Sequence, residues 1–506
     1  MHDGSMVGLL GSSAEFCSMR EAWKKGSVFM SIQLVIVCLY IAMLFGISFW
    51  VKRRADKGAT EYLFAGRKLS STLIAVNITG LAVGAASTVG VAERAFSIGM
   101  AAGWYNAAWA AGSVVMGLAA AGKLRAMKVS TIPEFFEKYY DIKGRVISAV
   151  GLIIIMCVIT ALQYLAGGAI LSSLLPDIFS FQGGMLMSAV VFIGITLIGG
   201  LWSSGLANIV SVTLIYLGVL YSCVSSVIKV GGWDNLVAKL PNAETMVDPM
   251  AGIPLVVIIS WFVVMITQAI TAQGPVQIAC GAKDAKTARN GFLLGGLLIF
   301  PVGFLCAVLG LVAKVMYPEI PVEKAALAMP KVVMGLNPVA SGLTLAALWA
   351  ADVSTACTIL LGAGTLFSQD IYKRFVDPDV SEEKFLKISR LTIFGIGLIT
   401  LWFAFNAAGI LKTMIAGLSM TTALTCIFFF TVFAPGVCRK SSAFWTTLVG
   451  IVGIILWFMP GNPLASLKPV FKEVVYFEWV ICIATFLLVS VIDRNKIKEL
   501  DIVEED

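Results

Sequence analysis

Apolar runs of about 17 to 30 residues recur along this chain from Ser31 to Ile492, each bounded by charge or by Gly and Pro. About thirteen are readable, at 31–51, 72–93, 99–121, 146–175, 184–201, 204–228, 252–278, 291–316, 338–367, 391–408, 412–434, 443–459 and 474–492. Runs of that length predict spanning helices and an all-α polytopic membrane protein.

Two runs are interrupted. The second carries Asn77-Ile78-Thr79-Gly80 through Ser87-Thr88, and the seventh carries Thr267-Gln268 through Gly274-Pro275-Val276-Gln277. Backbone groups freed at that depth must be satisfied by protein, ions or a water-lined cavity. Small residues that let two helices pack closely would give the same local pattern. The interruptions lie five spans apart, and an odd offset gives two blocks of opposite orientation, hence an inverted repeat with discontinuous helices.

This predicts a tail over 1–29, a leading helix over 30–51, repeats over 66–228 and 250–434, accessory helices over 440–492, and a cytoplasmic tail over 493–506. The segments Gly231–Pro249 and Tyr317–Pro338 are expected as external loops. Thr131 to Tyr140 reads as a short amphipathic helix on the cytoplasmic surface, capped by Thr131 or Ser130. Residues 1–29 lack the continuous apolar run of a signal peptide, and Met30 is expected to be the native start.

Composition agrees: 58% of the 506 residues are hydrophobic, 13% are charged, and mean hydropathy is +0.91. Threading the first span inward puts about 25 of the 37 Lys and Arg on the cytoplasmic side. The net charge of +7 thus orients the chain in a plasma (inner) membrane, N-terminus outside and C-terminus cytoplasmic, and is no sign of nucleic acid. Ten cysteines are scattered without metal-ligand spacing, and His2 is the single histidine. Histidine-dependent triads, zinc sites and proton relays are therefore unavailable to the membrane core, and no enzyme is expected.

The chemistry concentrates in Ala350-Ala351-Asp352-Val353-Ser354-Thr355. Ionisable and polar groups at membrane depth are costly and mark ion or substrate pathways. Thr355 and Ser354 follow Ala351 by four and three residues, so two hydroxyls and one carbonyl can converge on one patch. A hard monovalent cation takes such neutral oxygens, and hydroxyls bonding their own helix give the same spacing. Asp352 lies about 200° around the helix from Ser354 and about 60° from Thr355. It faces either the cavity, as a proton or cation coupling group, or a neighbouring helix.

The run from Ala351 to Gln369-Asp370-Ile371-Tyr372-Lys373-Arg374 resembles the sodium:solute symporter family. Tyr62-Leu63-Phe64-Ala65-Gly66-Arg67-Lys68-Leu69 and Gly281-Ala282-Lys283-Asp284 to Arg289 are similar to it too, in the same order over Ser31 to Ala434. The resemblance implies a LeuT-like 5+5 inverted repeat and Na⁺-driven import of a small organic solute by alternating access. By position, the Na⁺ ligands would be Ser354, Thr355 and the carbonyls of Ala351, Ala75 and Ile78, the last two freed by unwinding at Gly80. Solute contacts would come from Asn77, Thr79, Ser87, Tyr105, Asn106, Gln163, Gln268, Thr271 and Gln273.

The chain departs from the family pattern at Asp352, at Ile278, and at Asn208 and Cys357, where members with an additional sodium site carry an aspartate and a hydroxyl. One Na⁺ per cycle is expected. Gln268 stands where a sugar-carrying branch places an aromatic gate. Proton coupling through Asp352, a channel and a transporter-like sensor are the other readings. The expected partners are the solute and the lipid bilayer, with a monomer sufficient for transport.

Overall fold

The computed structural model describes residues 13–175, 178–406, 421–459 and 463–498, so parts of the expected helix at 412–434 and of both tails lie outside the described residues. Among those described, the backbone is almost wholly helical, with two isolated bridges, Leu69 with Ala282 and Arg439 with Lys496. Among the described residues eight helices are long and apolar enough to cross a membrane, and a bent pair gives a ninth span.

The principal helices are α1 (Ser13–Ala55), α2 (Ser71–Ala82), α3 (Val91–Ile98), α4 (Trp104–Val115), α5 (Ile132–Tyr139), α6 (Ile142–Leu174) and α7 (Phe181–Val230). There follow α8 (Leu255–Thr271), α9 (Gln273–Cys280), α10 (Ala285–Met316), α11 (Pro338–Leu366) and α12 (Glu382–Asn406). The last three are α13 (Thr421–Phe433), α14 (Ser442–Phe458) and α15 (Val474–Ile492). Helix α1 begins at Ser13, inside the stretch read as a tail.

Side-chain caps set several of these starts. Asp141, Ser180, Asp284 and Asn337 each accept a hydrogen bond from a backbone N–H three residues on. The runs at 184–201 and 204–228 join into the 50 residues of α7, which turns at Gly200. Gly200 has φ 53° and ψ −136°, and a Cβ there would collide with the Tyr62 carbonyl. Helix α11 is buried on every side and packs most extensively on α7 and α6.

Both expected interruptions are present. Helix α2 ends at Ala82, the backbone unwinds from Val83 (φ −93°, ψ 68°), and helical structure resumes near Ala86. The second break is Ala272 (φ −67°, ψ 139°), where α8 and α9 meet at 47°. Pro275 has no N–H to return to this turn, so an uninterrupted helix would be short of a bond there.

Helix α5 starts with a reciprocal cap: Thr131 Oγ1 accepts from Glu134 N (3.1 Å), and Ser130 N donates to Glu134 Oε2 (2.7 Å). It is docked rather than superficial, because Phe135, Phe136 and Tyr139 are buried and Phe135 packs on Phe428. The segment after α7 folds over the α3–α4 junction, where Trp104 Nε1 donates to the Pro249 carbonyl (2.8 Å).

Candidate functional site

The first break and the middle of α11 meet through oxygen atoms. Ser354 Oγ lies 2.7 Å from the Gly80 carbonyl and 2.8 Å from that of Ala351. Thr355 Oγ1 lies 3.0 Å from the Gly80 carbonyl, 3.1 Å from that of Leu81 and 3.1 Å from that of Ala351. Two hydroxyls carry two protons, so they cannot donate along all five contacts at once. Crowding acceptor oxygens without matching protons is what a hard monovalent cation relieves. Gly84 makes the approach feasible, since a Cβ there would stand 2.6 Å from Thr355 Oγ1.

The facing carbonyls are thus those of Gly80 and Leu81, because α2 stays helical through Gly80 to Ala82. Ala75 and Ile78 lie further back on α2. The Ala75 carbonyl accepts from Thr79 Oγ1 (2.7 Å), and Ile78 is buried where Gly295 leaves room on α10.

Beside Thr355 is a cavity of about 40 Å³, room for a few waters. Of the expected solute contacts, Ser87, Tyr105, Gln163 and Gln268 line it. Gln163 Oε1 and Gln268 Oε1 are buried and unpartnered, so both amides retain hydrogen-bonding capacity. Ser87 Oγ is committed to the Ala82 carbonyl (2.5 Å). Trp109, Met156, Ile159 and Ile359 also line the cavity and give no sequence signal, since apolar residues fill every span. Tyr105 meets Trp261 edge-on at 6.2 Å, and Arg94 lies over the same indole at 5.4 Å.

The other candidates bond elsewhere, with Gln273 Oε1 left unpartnered. Asn77 donates to the Leu73 carbonyl (2.8 Å) and accepts from Asn208 Nδ2 (3.0 Å). Asn106, with its amide nitrogen toward the Ser87 carbonyl (3.2 Å) and its oxygen toward Gly303 N (3.2 Å), braces the first break. Thr271 bonds Thr425 Oγ1 (2.8 Å) and the Thr421 carbonyl (3.2 Å), tying α8 to α13. Gln273 donates to the Ser130 carbonyl (3.2 Å). Cys357 Sγ is directed at the Phe192 carbonyl (3.6 Å).

Asp352 is fully buried on another face of α11 and does not line the cavity. A Cβ on Gly167 of α6 would overlap both Asp352 Oδ2 and Ser188 Oγ of α7, and Ser188 Oγ accepts from Trp349 Nε1 (3.1 Å). The carboxyl therefore packs between α6 and α7.

The Gln369-to-Arg374 motif closes the end of α11 against α5 and α6. Asp370 Oδ1 accepts from Thr131 Oγ1 (3.0 Å) and from Arg145 Nε (2.9 Å). Glu137 pairs with Arg145 and with Arg374 Nη2 (2.6 Å). Burial works to raise the Glu137 pKa, but hydrogen bonds from Arg374 and Arg145 hold its carboxyl below the usual range. Beside this network, Gln277 Nε2 of α9 donates to the Leu63 carbonyl (2.7 Å) and to Thr365 Oγ1 (2.9 Å).

The sequence profile of the sodium:solute symporter family matches residues 62–450. A sodium/glucose cotransporter of Vibrio parahaemolyticus is 26% identical over 395 residues, covering 71% of this chain and 72% of that protein. A sodium/proline symporter 2 of Staphylococcus saprophyticus is 21% identical over 456 residues, covering 86% of this chain and 88% of its own length. A solved Na⁺-coupled sialic acid symporter superposes with a TM-score of 0.78 at 17% identity, over 93% of this chain and 99% of that one. The fold is that of the LeuT-like inverted-repeat transporters.

Proposed function

The chain belongs to the sodium:solute symporter family, and from that premise we propose that it imports one Na⁺ with one small organic solute, binding the ion around Ser354 and Thr355. The observation that carries this reading is the crowding of those two hydroxyls against the carbonyls of Ala351, Gly80 and Leu81 at the edge of the cavity. Ala75 and Ile78, further back on α2, complete the ion's shell when the break adjusts around it.

The solute sits against Gln163, Gln268, Tyr105 and Ser87. Among the described residues no charged side chain lines the cavity, so a carboxylate on the solute is balanced by the adjacent cation. Ion and solute together favour the occluded state, and their joint differential affinity moves the protein between its faces. The excess of Lys and Arg in alternate loops supports a cytoplasmic C-terminus and an outside N-terminus.

Uptake into proteoliposomes tests the reading. An inward Na⁺ gradient drives saturable uptake with counterflow, and Ser354→Ala and Thr355→Ala each raise the Na⁺ requirement. Sodium-independent uptake, single-channel conductance, or unaltered Na⁺ dependence in both variants would overturn it.

A further inference from the structure

Helix α9 leaves the cavity wall at Gly274 and Pro275 and runs toward the basic segment Lys283–Arg289. Two buried glutamines, one turn apart on one face of it, meet the neighbouring elements. Gln273 Nε2 donates to the Ser130 carbonyl at the start of α5 (3.2 Å). Gly362 of α11 admits its stem, since a Cβ there would stand 3.5 Å from Gln273 Cγ. Gln277 Nε2 donates to Thr365 Oγ1 of α11 (2.9 Å) and to the Leu63 carbonyl ahead of α2 (2.7 Å). All of these bonds join uncharged groups.

The ends of α9 are governed differently. Ala272 leaves the helical conformation at one end (φ −67°, ψ 139°). At the other, Arg125 donates to the carbonyls of Ala282 (2.7 Å) and Lys283 (3.0 Å). The elements that α9 faces are fastened to each other by charge, because Asp370, just past α11, accepts from Arg145 of α6 and from Thr131, the cap of α5. Bonds to ionised groups are roughly twice as strong as bonds between neutral ones. A force that separates these elements therefore breaks the amide contacts first, and α9 swings about its pinned end.

We propose that Gln273 and Gln277 form the clasp that shuts the cavity toward the cytoplasm. Release of ion and solute requires α9 to part from α5 and α11 beside Ala272, while α5 stays fastened to α11 through Thr131 and Asp370. Which face is cytoplasmic rests on the symport reading, but the clasp itself does not depend on the ion that drives transport.

Ala272→Cys puts a thiol in the cavity wall as a reporter. Its alkylation by an impermeant maleimide, followed by peptide mass spectrometry in inside-out and right-side-out vesicles without sodium or solute, reads access from each face. Gln273→Met, which keeps the stem, and Thr365→Val, which leaves α9 itself intact, each raise the rate from the cytoplasmic face about tenfold. Thr365→Ser keeps the hydroxyl and the slow rate. An unchanged rate from that face in either loss variant, or an equal rise from both faces, overturns the clasp and leaves the glutamines as packing groups. Because neither sodium nor solute is present, failure of Na⁺-driven uptake would not alter these outcomes.

Discussion

Ser354 Oγ donates to the Gly80 carbonyl at 2.7 Å, joining residues 274 positions apart at the point where one helix breaks and another runs straight through. The contact uses the only hydrogen on the hydroxyl, while Thr355 is drawn to the same carbonyl at 3.0 Å. A cation arriving there replaces a strained sharing of protons with direct coordination. The clearest functional consequences start from this pair.

Ser354→Ala and Thr355→Ala each remove one ligand and are expected to raise the Na⁺ concentration for half-maximal uptake by about tenfold or more, equivalent to about 1.4 kcal/mol or more. Sodium titrations of uptake in proteoliposomes measure the change. Expression and the sodium-free Tm stay near wild type, because no carbonyl of a regular helix loses its backbone partner.

Gly84→Ala forces a Cβ against Thr355 Oγ1 and pushes the first break away from α11. Transport falls at least about tenfold although the substitution adds one methyl group. Folded protein recovered by size-exclusion chromatography, with sodium binding lost, would show that the damage is local.

Gln163→Ala and Gln268→Ala remove the two unpartnered amides of the cavity. Each is expected to weaken solute binding by about 1 to 2 kcal/mol, while sodium binding in the absence of solute persists. Solute-induced thermal shift with and without Na⁺ distinguishes this from loss of the ion site.

Asp352→Asn should retain Na⁺-driven uptake, since the carboxyl packs toward Gly167 and Ser188 and not into the cavity. Its effect falls on stability or on α6–α7 packing. Uptake compared at several pH values between about 5 and 8, a range above the titration of an ordinary carboxyl, checks the point. An altered proton dependence would restore the coupling role.

Glu137 is held below the usual carboxylate range by Arg374 and Arg145. Its folded-state pKa is lowered, so it stabilises the α5–α6–α11 junction above the unfolded pKa, about 4.3, and that contribution is lost as pH falls through the folded value. Glu137→Gln should therefore flatten the acid limb of a Tm-against-pH curve and lower Tm at neutral pH.

Much of this was readable in the chain. Span positions followed from hydropathy, and Gly274-Pro275 marked the second break because proline withdraws a helical donor. The first break lies later than Gly80 suggested, because glycine tolerates a helix that continues two residues further. Helical angles left Asp352 with two faces to choose from, and only the glycine at 167 on a neighbouring helix decided between them. The hydroxyls of Ser354 and Thr355 were evident, whereas Trp109, Met156 and Ile159 were not, since a cavity wall and a lipid-facing wall use the same side chains. Asn77 ties α2 to Asn208 of α7, and Thr271 and Gln273 bond their neighbours beside the second break.

The bridge between Leu69 and Ala282 has a mechanical consequence. Leu69 N donates to the Gly281 carbonyl (3.0 Å), and Lys283 N donates to the Leu69 carbonyl (3.1 Å). The entrance to the first broken span is thereby pinned to the exit of the second by main-chain atoms alone. Side-chain drift cannot unpin it, whereas a proline at position 69 or 283 would. The two breaks are thus yoked at one end, so a tilt imposed by solute on either is delivered to the other as torque about a shared pivot.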